Sequence, residues 1–472
     1  MNGRALAAVV IAGLVSACGS GPVAQRTGSL QSAWVQLGPD GRPVARAITT
    51  AGTCPDIVLD GVRSAMDARA EPATAPPRPT LSGPADSKPS VFDVLSCEKQ
   101  FVAATVSVVV DGQPLPAVRA ALRRIVVVGD TGCRLKLPTF FQRCNDAERW
   151  PLQKVAEAAA AAKPDLVIHV GDYHYRENAC PLGNAGCAGS PWGYGWDTWD
   201  ADFFQPAKRL LAAAPWIMVR GNHESCFRGG QGWQRFLDPA PFDARRSCDD
   251  PANDVIADFG EPYAVPLSGD MQFIVFDSSN SVTRPLVPGE PLYVRYLAQL
   301  EQVDKLAQAK PSNIFLNHHP ILGFAPAPPV AGQPEVYPGN EGLQFAMRKL
   351  HTDALFPASV QVTIAGHTHL FEAVNFSSGQ PAQIVSGNAG SAVDFSLADP
   401  LPPGAVPAPG AVVQSIVSTN RFGFLTLDRG DAPGRWHIQA WDLEGEVMAQ
   451  CGLVGRQISC SPATLPQASV GP

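Results

Sequence analysis

The sequence has no long block of lysine and arginine, and its formal net charge at pH 7 is −7. Proteins that track a nucleic-acid backbone need clustered cations to neutralise its phosphates, so we expect no nucleic-acid partner. The chain also lacks a Cys-x-x-Cys pair, which argues against a structural zinc site. Beyond the N-terminal residues, no apolar run is long enough to cross a bilayer, and the sequence has no recognisable internal repeat.

The first residues resemble an export signal. Residues 1–4 form a short positive start, and the apolar run over residues 5–15 is too short to span a membrane. The run ends in Val-Ser-Ala-Cys18, which resembles a bacterial lipobox, so we favour lipidation of Cys18 as the mature N-terminus. Ordinary cleavage after Ala17 is the alternative. Both interpretations place the mature protein outside the cytoplasm, in the bacterial periplasm or at the outer membrane, with a lipid anchor as its only membrane contact.

Removing Cys18 from the 11 cysteines leaves ten, an even number for an oxidising compartment. Short loops lose the least chain entropy on closing, so we predict that each cysteine pairs with its neighbour in the sequence. Buried free thiols are the alternative, and they are less expected in an exported protein. The predicted pairs are Cys54/Cys97, Cys133/Cys144, Cys180/Cys187, Cys226/Cys248 and Cys451/Cys460.

The chain has 472 residues, of which 45% are hydrophobic, and is long enough for a large catalytic domain and a smaller one. After the signal (residues 1–18) and a flexible tether (residues 19–32), residues 33–120 are interpreted as a small β-rich domain. From residue 121 to 460, buried apolar runs alternate with helical segments, which predicts an α/β catalytic domain. The predicted strands are residues 125–128, 166–170, 216–219, 273–276, 314–316, 362–365, 422–427 and 436–441, and the predicted helices are residues 145–162, 200–213 and 292–309.

Three further segments are predicted to surround a site. Residues 324–339 and 399–410 are rich in proline and are expected to be surface loops near its mouth. Residues 192–199 contain four aromatic side chains. Two interpretations of these aromatics stay open: they line the mouth and select an apolar leaving group, or they pack a disulfide-tied loop onto the helix that follows.

Five of the predicted strands end in short polar blocks. In an open α/β sheet, ligands bind at the carboxyl ends of the strands, so blocks of Asp, Asn and His that meet there form a set of metal ligands. One block alone would be weak evidence, because a Gly-Asp pair is usually a turn. The blocks are Gly129-Asp130-Thr131-Gly132, Gly171-Asp172-Tyr173-His174-Tyr175, Gly221-Asn222-His223-Glu224, Asn317-His318-His319-Pro320 and Gly366-His367-Thr368-His369.

The order of these blocks resembles the calcineurin-like metallophosphoesterases over about residues 123–395, with a closing hairpin to about residue 451. Most members have a histidine where this sequence has Gly132, and here Tyr175 follows Asp172 by three residues. This paired departure is typical of the purple acid phosphatase branch. The resemblance implies an α-β-β-α core, a β-sandwich between helices, with a smaller N-terminal β-rich domain.

The resemblance also implies a ligand set for two metal ions bridged by Asp172. A phenol has a pKa of about 10 and needs a strongly charged ion to bind as phenolate, so we expect Fe³⁺ beside a divalent ion (Fe²⁺, Zn²⁺ or Mn²⁺). The alternative is that Tyr175 is a core aromatic and His174 supplies the ligand. The implied ligands are Asp130, Asp172, Tyr175 and His369 for the first ion, and Asp172, Asn222, His318 and His367 for the second.

Other residues of the blocks receive supporting roles. By the resemblance, His223 does not bind metal but stabilises the developing charge or protonates the leaving oxygen, and it acts with Asn222 and Asp172. Glu224 is expected to support the ligands. His319 either faces substrate or only caps its loop. His169 is expected in the core, and no role is assigned to His351 and His437.

The resemblance implies an enzyme that hydrolyses phosphate monoesters through a metal-bound hydroxide, with a small phosphoester as its partner. A phosphodiesterase or nucleotidase with two divalent ions is the first alternative. A non-catalytic surface binding module that retains the fold is the second. Disulfides near Asp130 and His223 are expected to brace the ligand loops.

Overall fold

The computed structural model describes Met1 and residues 28–78, 87–136, 140–267, 269–330, 333–432 and 434–468. The predicted signal, its lipidation site Cys18 and the first part of the tether lie outside the described residues, Met1 apart.

Strands dominate the chain from its N-terminal region to its end. They are β1 (Leu30–Leu37), β2 (Pro43–Thr49), β3 (Asp56–Leu59), β4 (Val62–Ala65), β5 (Asp67–Ala70), β6 (Ala73–Ala75), β7 (Ser90–Phe92), β8 (Leu95–Gln100), β9 (Val108–Val110), β10 (Gln113–Leu115), β11 (Arg124–Val128), β12 (Leu135–Lys136), β13 (Phe140–Phe141) and β14 (Leu166–His169). They continue with β15 (Trp216–Met218), β16 (Tyr263–Pro266), β17 (Met271–Val275), β18 (Ser312–Leu316), β19 (Ala325–Val330), β20 (Gln333–Tyr337), β21 (Val360–Ala365), β22 (Phe371–Phe376), β23 (Ala382–Ser386), β24 (Val413–Thr419), β25 (Phe424–Arg429), β26 (Arg435–Trp441), β27 (Val447–Val454) and β28 (Gln457–Ser461).

Helices are shorter, and most of them lie between strands of the catalytic region. The part of the chain that the structure describes contains no helix long and apolar enough to cross a membrane. The α-helices are α1 (Leu152–Ala161), α2 (Trp196–Trp199), α3 (Lys208–Leu211), α4 (Gly230–Phe236), α5 (Asp254–Ala257), α6 (Pro291–Gln308) and α7 (Glu341–Met347).

Two large sheets form the core of the molecule. Within the described residues, the larger has eleven strands in the order β28-β27-β26-β25-β11-β14-β15-β1-β2-β8-β5, and the smaller has seven in the order β16-β17-β18-β21-β23-β22-β24. The central strands are parallel in both: β11, β14 and β15 in one, and β17, β18, β21 and β23 in the other. Antiparallel strands extend each sheet on its flanks.

The two sheets pack face to face, and helices cover their outer faces. Val127 of β11 lies in the core between the sheets together with Phe273 of β17, whereas the adjacent Val126 faces the layer formed by α1, α2 and α3. On the other side, Phe315 of β18 packs against α6 and α7. Strands buried on both faces explain why the predicted runs were continuously apolar. The predicted α-β-β-α core with additional N-terminal strands is confirmed.

The N-terminal strands extend the larger sheet. Gln36 of β1 pairs in parallel with Trp216 of β15, so the sheet runs across the boundary predicted near residue 120. Trp34 of β1 is fully buried, and its ring lies 5.3 Å from that of Phe204 in the helical layer. The other face of these strands has a small core of its own, which includes Val35. Residues 33–120 therefore share hydrogen bonds and apolar contacts with the catalytic region.

Three local predictions were wrong, each for a physical reason. The helix predicted from residue 145 begins only at Leu152, because residues 145–150 form turns. The helix predicted over residues 200–213 is divided into a π-helical turn and α3, and Pro206, which has no backbone N–H, lies between them. Residues 324–339 contain the hairpin β19–β20, where prolines are tolerated because a two-stranded hairpin leaves its outer edges unpaired.

All five predicted disulfides are confirmed. Two of them lie beside the polar blocks: Cys133 bonds Cys144 in the loop after β11, and Cys226 bonds Cys248 in the loop after β15. The other three are Cys54–Cys97, Cys180–Cys187 and Cys451–Cys460.

Candidate metal centre

The five polar blocks meet at one end of the sandwich, although they come from two sheets. Three blocks follow β11, β14 and β15 of the larger sheet, and two follow β18 and β21 of the smaller one. Contacts join the sheets directly: Nδ1 of His318 lies 2.8 Å from the carbonyl oxygen of Val170, and the amide of His367 donates to Oδ2 of Asp130 at 2.8 Å. The parallel centres of both sheets thus bring their carboxyl ends together.

One half of the cluster is centred on the phenol of Tyr175. Its hydroxyl oxygen lies 2.9 Å from Oδ1 of Asp130, 2.8 Å from Oδ2 of Asp172 and 2.8 Å from Nε2 of His369. The side chain is 1% exposed. Burial, followed by the charges of Asp130 and Asp172, raises the pKa of Tyr175 well above its ordinary value. A proton or another cation must therefore lie at this oxygen to offset the negative charges around it.

The other half of the cluster contains Asp172 again, with two histidines and an amide. Oδ2 of Asp172 lies 3.2 Å from Nε2 of His318. Oδ1 of Asn222 lies 3.0 Å from Nε2 of His318 and 3.0 Å from Nδ1 of His367. Ligand atoms of Asp172, His318 and His367 all lie within 4.8 Å of one another. The carboxylate of Asp172 thus contacts side chains of both halves.

The backbone at three of these residues adopts a left-handed conformation. Asp130 has φ 57°, Asp172 has φ 61° and His367 has φ 70°. Residues other than glycine seldom adopt positive φ, although Asp and His do so more readily than most. The conformation turns each side chain into the cluster at the end of its strand, and the surrounding hydrogen bonds hold it there. Backbone strain of this kind is typical of functional sites.

Contacts behind the cluster orient the histidines and the loops. Nδ1 of His369 lies 2.7 Å from the carbonyl oxygen of Ala392, just as Nδ1 of His318 faces a carbonyl. A carbonyl oxygen only accepts, so Nδ1 of both rings carries a proton, and Nε2 is the nitrogen that faces the cluster. The carboxylate of Glu224 accepts amides from both the second and the third block, Tyr173 at 2.8 Å and Gly221 at 3.0 Å among them.

His223 lies beside the cluster in a buried group of charges that the sequence did not reveal. Its Nδ1 lies 3.0 Å from the carbonyl oxygen of His174 and 2.7 Å from Oε1 of Glu177, which also lies 2.7 Å from Nη2 of Arg228. Burial alone would raise the pKa of Glu177, but Arg228 and His223 outweigh it and hold that pKa well below its ordinary range. Nε2 of His223 lies 3.8 Å from Oδ2 of Asp172.

A second residue that sequence reasoning missed is Asp202, which is fully buried in the π-helical turn. Its carboxylate accepts the amide of Cys133 at 2.9 Å and that of Tyr175 at 2.7 Å, so it joins the first two blocks. Neither Asp202 nor Glu177 belongs to a recognisable motif. The sequence offered one weak signal for them: Asp202 is an acidic residue within a predicted helix, and Glu177 is an acidic residue just after the second polar block.

The remaining histidines of the blocks take different places. His174 packs between Tyr194 and Trp199, with ring centroids 5.3 and 5.6 Å away, and it does not join the cluster. The structure therefore favours Tyr175 over His174 as the candidate ligand. His169 is fully buried beneath the site, as expected. His319 is buried, and it lines a cavity beside His367.

Packing answers the open question for two of the four aromatic side chains of residues 192–199. Trp196 and Trp199 belong to the core between the larger sheet and its helices. Among the histidines to which no role was assigned, His351 contacts Asp304 at 2.9 Å and His437 lies on β26, outside the cluster.

The donor atoms suit two cations. Two carboxylates, a phenol and an imidazole surround one position, a set that matches a hard, highly charged ion. Two imidazoles, an amide oxygen and the shared carboxylate surround the other, a set that matches a divalent ion such as Zn²⁺, Fe²⁺ or Mn²⁺. The protons that otherwise separate the crowded oxygens would be displaced on binding.

Comparison with known proteins assigns the family. Residues 123–371 match the calcineurin-like phosphoesterase family, and this span is more than half of the chain. The chain belongs to the calcineurin-like phosphoesterases. The fold of this family generally binds two metal ions, in agreement with the two donor sets. Membership indicates a phosphoester hydrolase.

Two solved structures resemble this calcineurin-like phosphoesterase over most of its length. The purple acid phosphatase from yellow lupin (Lupinus luteus) seeds has 17% sequence identity and a TM-score of 0.54, over 93% of this chain and 77% of that one. A structure of PhoD has 11% identity and a TM-score of 0.53, over 93% of each chain. At this identity the likeness concerns the fold. No match was found among curated proteins.

Proposed function

We propose that the protein is an exported phosphomonoesterase of the purple acid phosphatase type. The observation that supports this most directly is the position of Tyr175, whose hydroxyl oxygen contacts Asp130, Asp172 and His369 within 2.9 Å. A phenol adds a third oxygen donor of negative charge to the two carboxylates. Such a set favours a trivalent ion over a second divalent one.

The proposed centre holds Fe³⁺ at one position and Fe²⁺, Zn²⁺ or Mn²⁺ at the other. Two bound ions would activate a water molecule and neutralise the charge of the phosphoryl oxygens. The residues proposed to hold the first ion are Asp130, Asp172, Tyr175 and His369, and those proposed for the second are Asp172, Asn222, His318 and His367.

His223 is proposed to protonate the leaving oxygen. Its Nδ1 faces the carbonyl oxygen of His174 and the carboxylate of Glu177, and both groups only accept, so the proton on Nδ1 stays in place. Nε2 is then the atom that exchanges a proton with substrate. The step requires the doubly protonated ring. Burial and the charge of Arg228 lower the pKa of His223 to about 3, and the charges of Asp172 and Glu177 act in the opposite direction.

We further propose that the protein acts outside the cytoplasm on small phosphoesters and binds no nucleic acid. Five disulfides suit an oxidising compartment. A lipid on Cys18 would then tether the enzyme to a membrane, and the folded part itself would make no membrane contact.

Metal analysis combined with kinetics tests the proposal. The purified protein is expected to contain iron, to absorb visible light, and to hydrolyse phosphate monoesters in preference to diesters. Asp172→Ala removes the shared carboxylate and should abolish metal loading and turnover. Asp270→Ala, in the exposed turn before β17, is the control, because Asp270 does not adopt the left-handed conformation.

The two alternatives predict different results. A colourless, iron-free enzyme that is fully active with two divalent ions, and prefers diesters, would favour the divalent phosphodiesterase or nucleotidase. Absence of turnover of any phosphoester by the metal-loaded protein would favour a binding module. Activity that survived Asp172→Ala would overturn the proposed centre.

A further inference from the structure

A cavity of about 410 Å³ opens directly beside the metal centre. His319 and His367 line it, and His367 also contacts Asn222 within the cluster. The volume falls within the roughly 300–1,000 Å³ of small-molecule sites. If the enzyme is the phosphomonoesterase proposed above, a substrate whose phosphate sits at the cluster extends its leaving group into this cavity.

Much of the cavity wall is apolar, and the hairpin β19–β20 and the residues that flank it supply this apolar part. Phe324 precedes β19, and Ala325 at its start pairs with Tyr337 at the end of β20. Pro338 continues the wall. Tyr337 is 57% exposed although its ring is large and apolar, so one face of the ring is available to a ligand. Tyrosine combines a large contact area with little loss of conformational entropy on binding.

The charged side chain that lines the cavity is acidic. Of the described residues that line it, none is lysine or arginine, and Glu341 contributes a carboxylate at the start of α7. A leaving group with its own negative charge would be repelled by this carboxylate, and no lysine or arginine among the described lining residues would offset the repulsion. A neutral leaving group is not affected.

The wall is held in place by buried hydrogen bonds. The amide of Phe324 donates to Glu372 at 3.1 Å, and the side-chain amide of Gln344 donates to the carbonyl oxygens of Ile321 and Pro407, both at 2.7 Å. Asn340 caps α7 by accepting the amide of Leu343 at 2.9 Å. A preformed wall loses little freedom when a rigid ligand binds, which favours a flat ring over a flexible chain.

We propose that this cavity selects phosphate monoesters whose leaving group is a flat, uncharged aromatic ring close to the ester oxygen. Tyr337 stacks on the ring, and Glu341 excludes leaving groups that carry a second anion. The hairpin β19–β20 is then a specificity element of the catalytic site.

Three esters with similar alkyl leaving oxygens isolate the ring and the charge: ethyl, benzyl and 4-carboxybenzyl phosphate. With the metal-loaded enzyme, kcat/KM for benzyl phosphate should exceed that for ethyl phosphate by about tenfold, the amount expected for one aromatic contact. It should exceed that for 4-carboxybenzyl phosphate by about two- to fivefold, since Glu341 is exposed and its repulsion is screened by solvent. Calorimetry with the phosphonate analogues should give the same order of Kd without turnover.

Variants assign the effects to residues. Tyr337→Ala should lower the benzyl-to-ethyl ratio of kcat/KM about fivefold, whereas Tyr337→Phe keeps the ring and the ratio. Glu341→Gln should raise the ratio for 4-carboxybenzyl over benzyl phosphate. Phe345→Ala, an exposed aromatic of α7 that does not line the cavity, is the control and should leave both ratios as they are.

The possible failures are distinguishable. Equal kcat/KM for the three esters, or a benzyl-to-ethyl ratio indifferent to Tyr337→Ala, would overturn the cavity's role while leaving the phosphomonoesterase intact. No hydrolysis of any of the three esters would instead contradict the phosphomonoesterase itself.

Discussion

Oε1 of Glu177 lies 2.7 Å from Nδ1 of His223, in a buried position on the side of the ring away from the candidate metal ligands. Arg228 contacts the same oxygen at 2.7 Å, so the carboxylate remains charged and holds the imidazole by one nitrogen. The arrangement leaves the other nitrogen directed toward the cluster. Glu177 is therefore a positioning residue for His223.

Replacing this carboxylate tests its role. Glu177→Gln keeps the shape of the side chain but removes its charge, and we expect kcat to fall about 10- to 100-fold with KM little changed. Steady-state kinetics, metal content and Tm should be measured together. Glu157→Gln on the exposed face of α1 is the control. A variant with lower Tm but unchanged kcat would show that Glu177 is only structural.

Tyr175 is expected to determine the colour of the enzyme. Tyr175→Phe removes the phenol oxygen from between Asp130 and Asp172, and we expect the visible absorption to disappear and the iron content to fall. Absorption spectra and elemental analysis measure both. Tyr173→Phe is a matched control in the same block, since its hydroxyl donates to the carbonyl of Val219 at 3.1 Å, away from the cluster. Colour retained in Tyr175→Phe would contradict the tyrosinate.

The Cys226–Cys248 disulfide is expected to retain metal as well as to stabilise the fold. Closing loops of 22 and 9 residues, as in Cys226–Cys248 and Cys451–Cys460, should each contribute about 3 kcal/mol by chain entropy. Double Cys→Ser variants should therefore lose similar stability. Only the first, which follows His223 in the chain, should lose metal faster to a chelator. Equal rates of metal loss in both variants would contradict the hypothesis that this disulfide braces the ligand loop.

Glu372 gives a prediction about pH. Burial raises its pKa to about 8, above the ordinary 4.5, so the folded protein binds this proton more tightly than the unfolded chain. Stability should therefore be highest below pH 4.5 as far as this group is concerned, and fall as pH rises towards 8. Glu372→Gln removes this dependence. Between pH 4 and pH 8, the free energy of unfolding of the variant should rise by up to about 4 kcal/mol relative to that of the wild type.

Urea unfolding at several pH values measures that difference. Glu301→Gln, exposed on α6, should show no such trend and serves as the control. A gain for Glu372→Gln that is the same at pH 4 and pH 8 would mean that the carboxyl keeps an ordinary pKa in the fold.

Much of the site could be predicted because each candidate ligand is attached to a local pattern. Asp130 and His367 follow continuously apolar runs, and such runs place the next polar residue at the carboxyl edge of a sheet. The sequential disulfides were predictable for a similar reason, since loop closure is a local property. These inferences need no knowledge of which strands are neighbours.

What the sequence could not reveal depends on distant contacts. Nothing local indicates that β11 and β18 enter different sheets, or that Glu177 meets a histidine 46 positions further along. The same holds for Trp196 and Trp199, whose pattern fits a pocket mouth as well as a core. Contacts between distant segments of the chain decide where these residues lie, and the local preferences of the residues do not.

The parallel pairing of Gln36 with Trp216 has a consequence for how the protein is made. β1 leaves the ribosome early, but its neighbour on that side is synthesised only after β11 and β14. Contacts between such distant segments form late and slow the folding of the chain. Until residue 216 emerges, the N-terminal strands therefore carry an unpaired edge, and a chaperone that covers this edge would be most useful during that period.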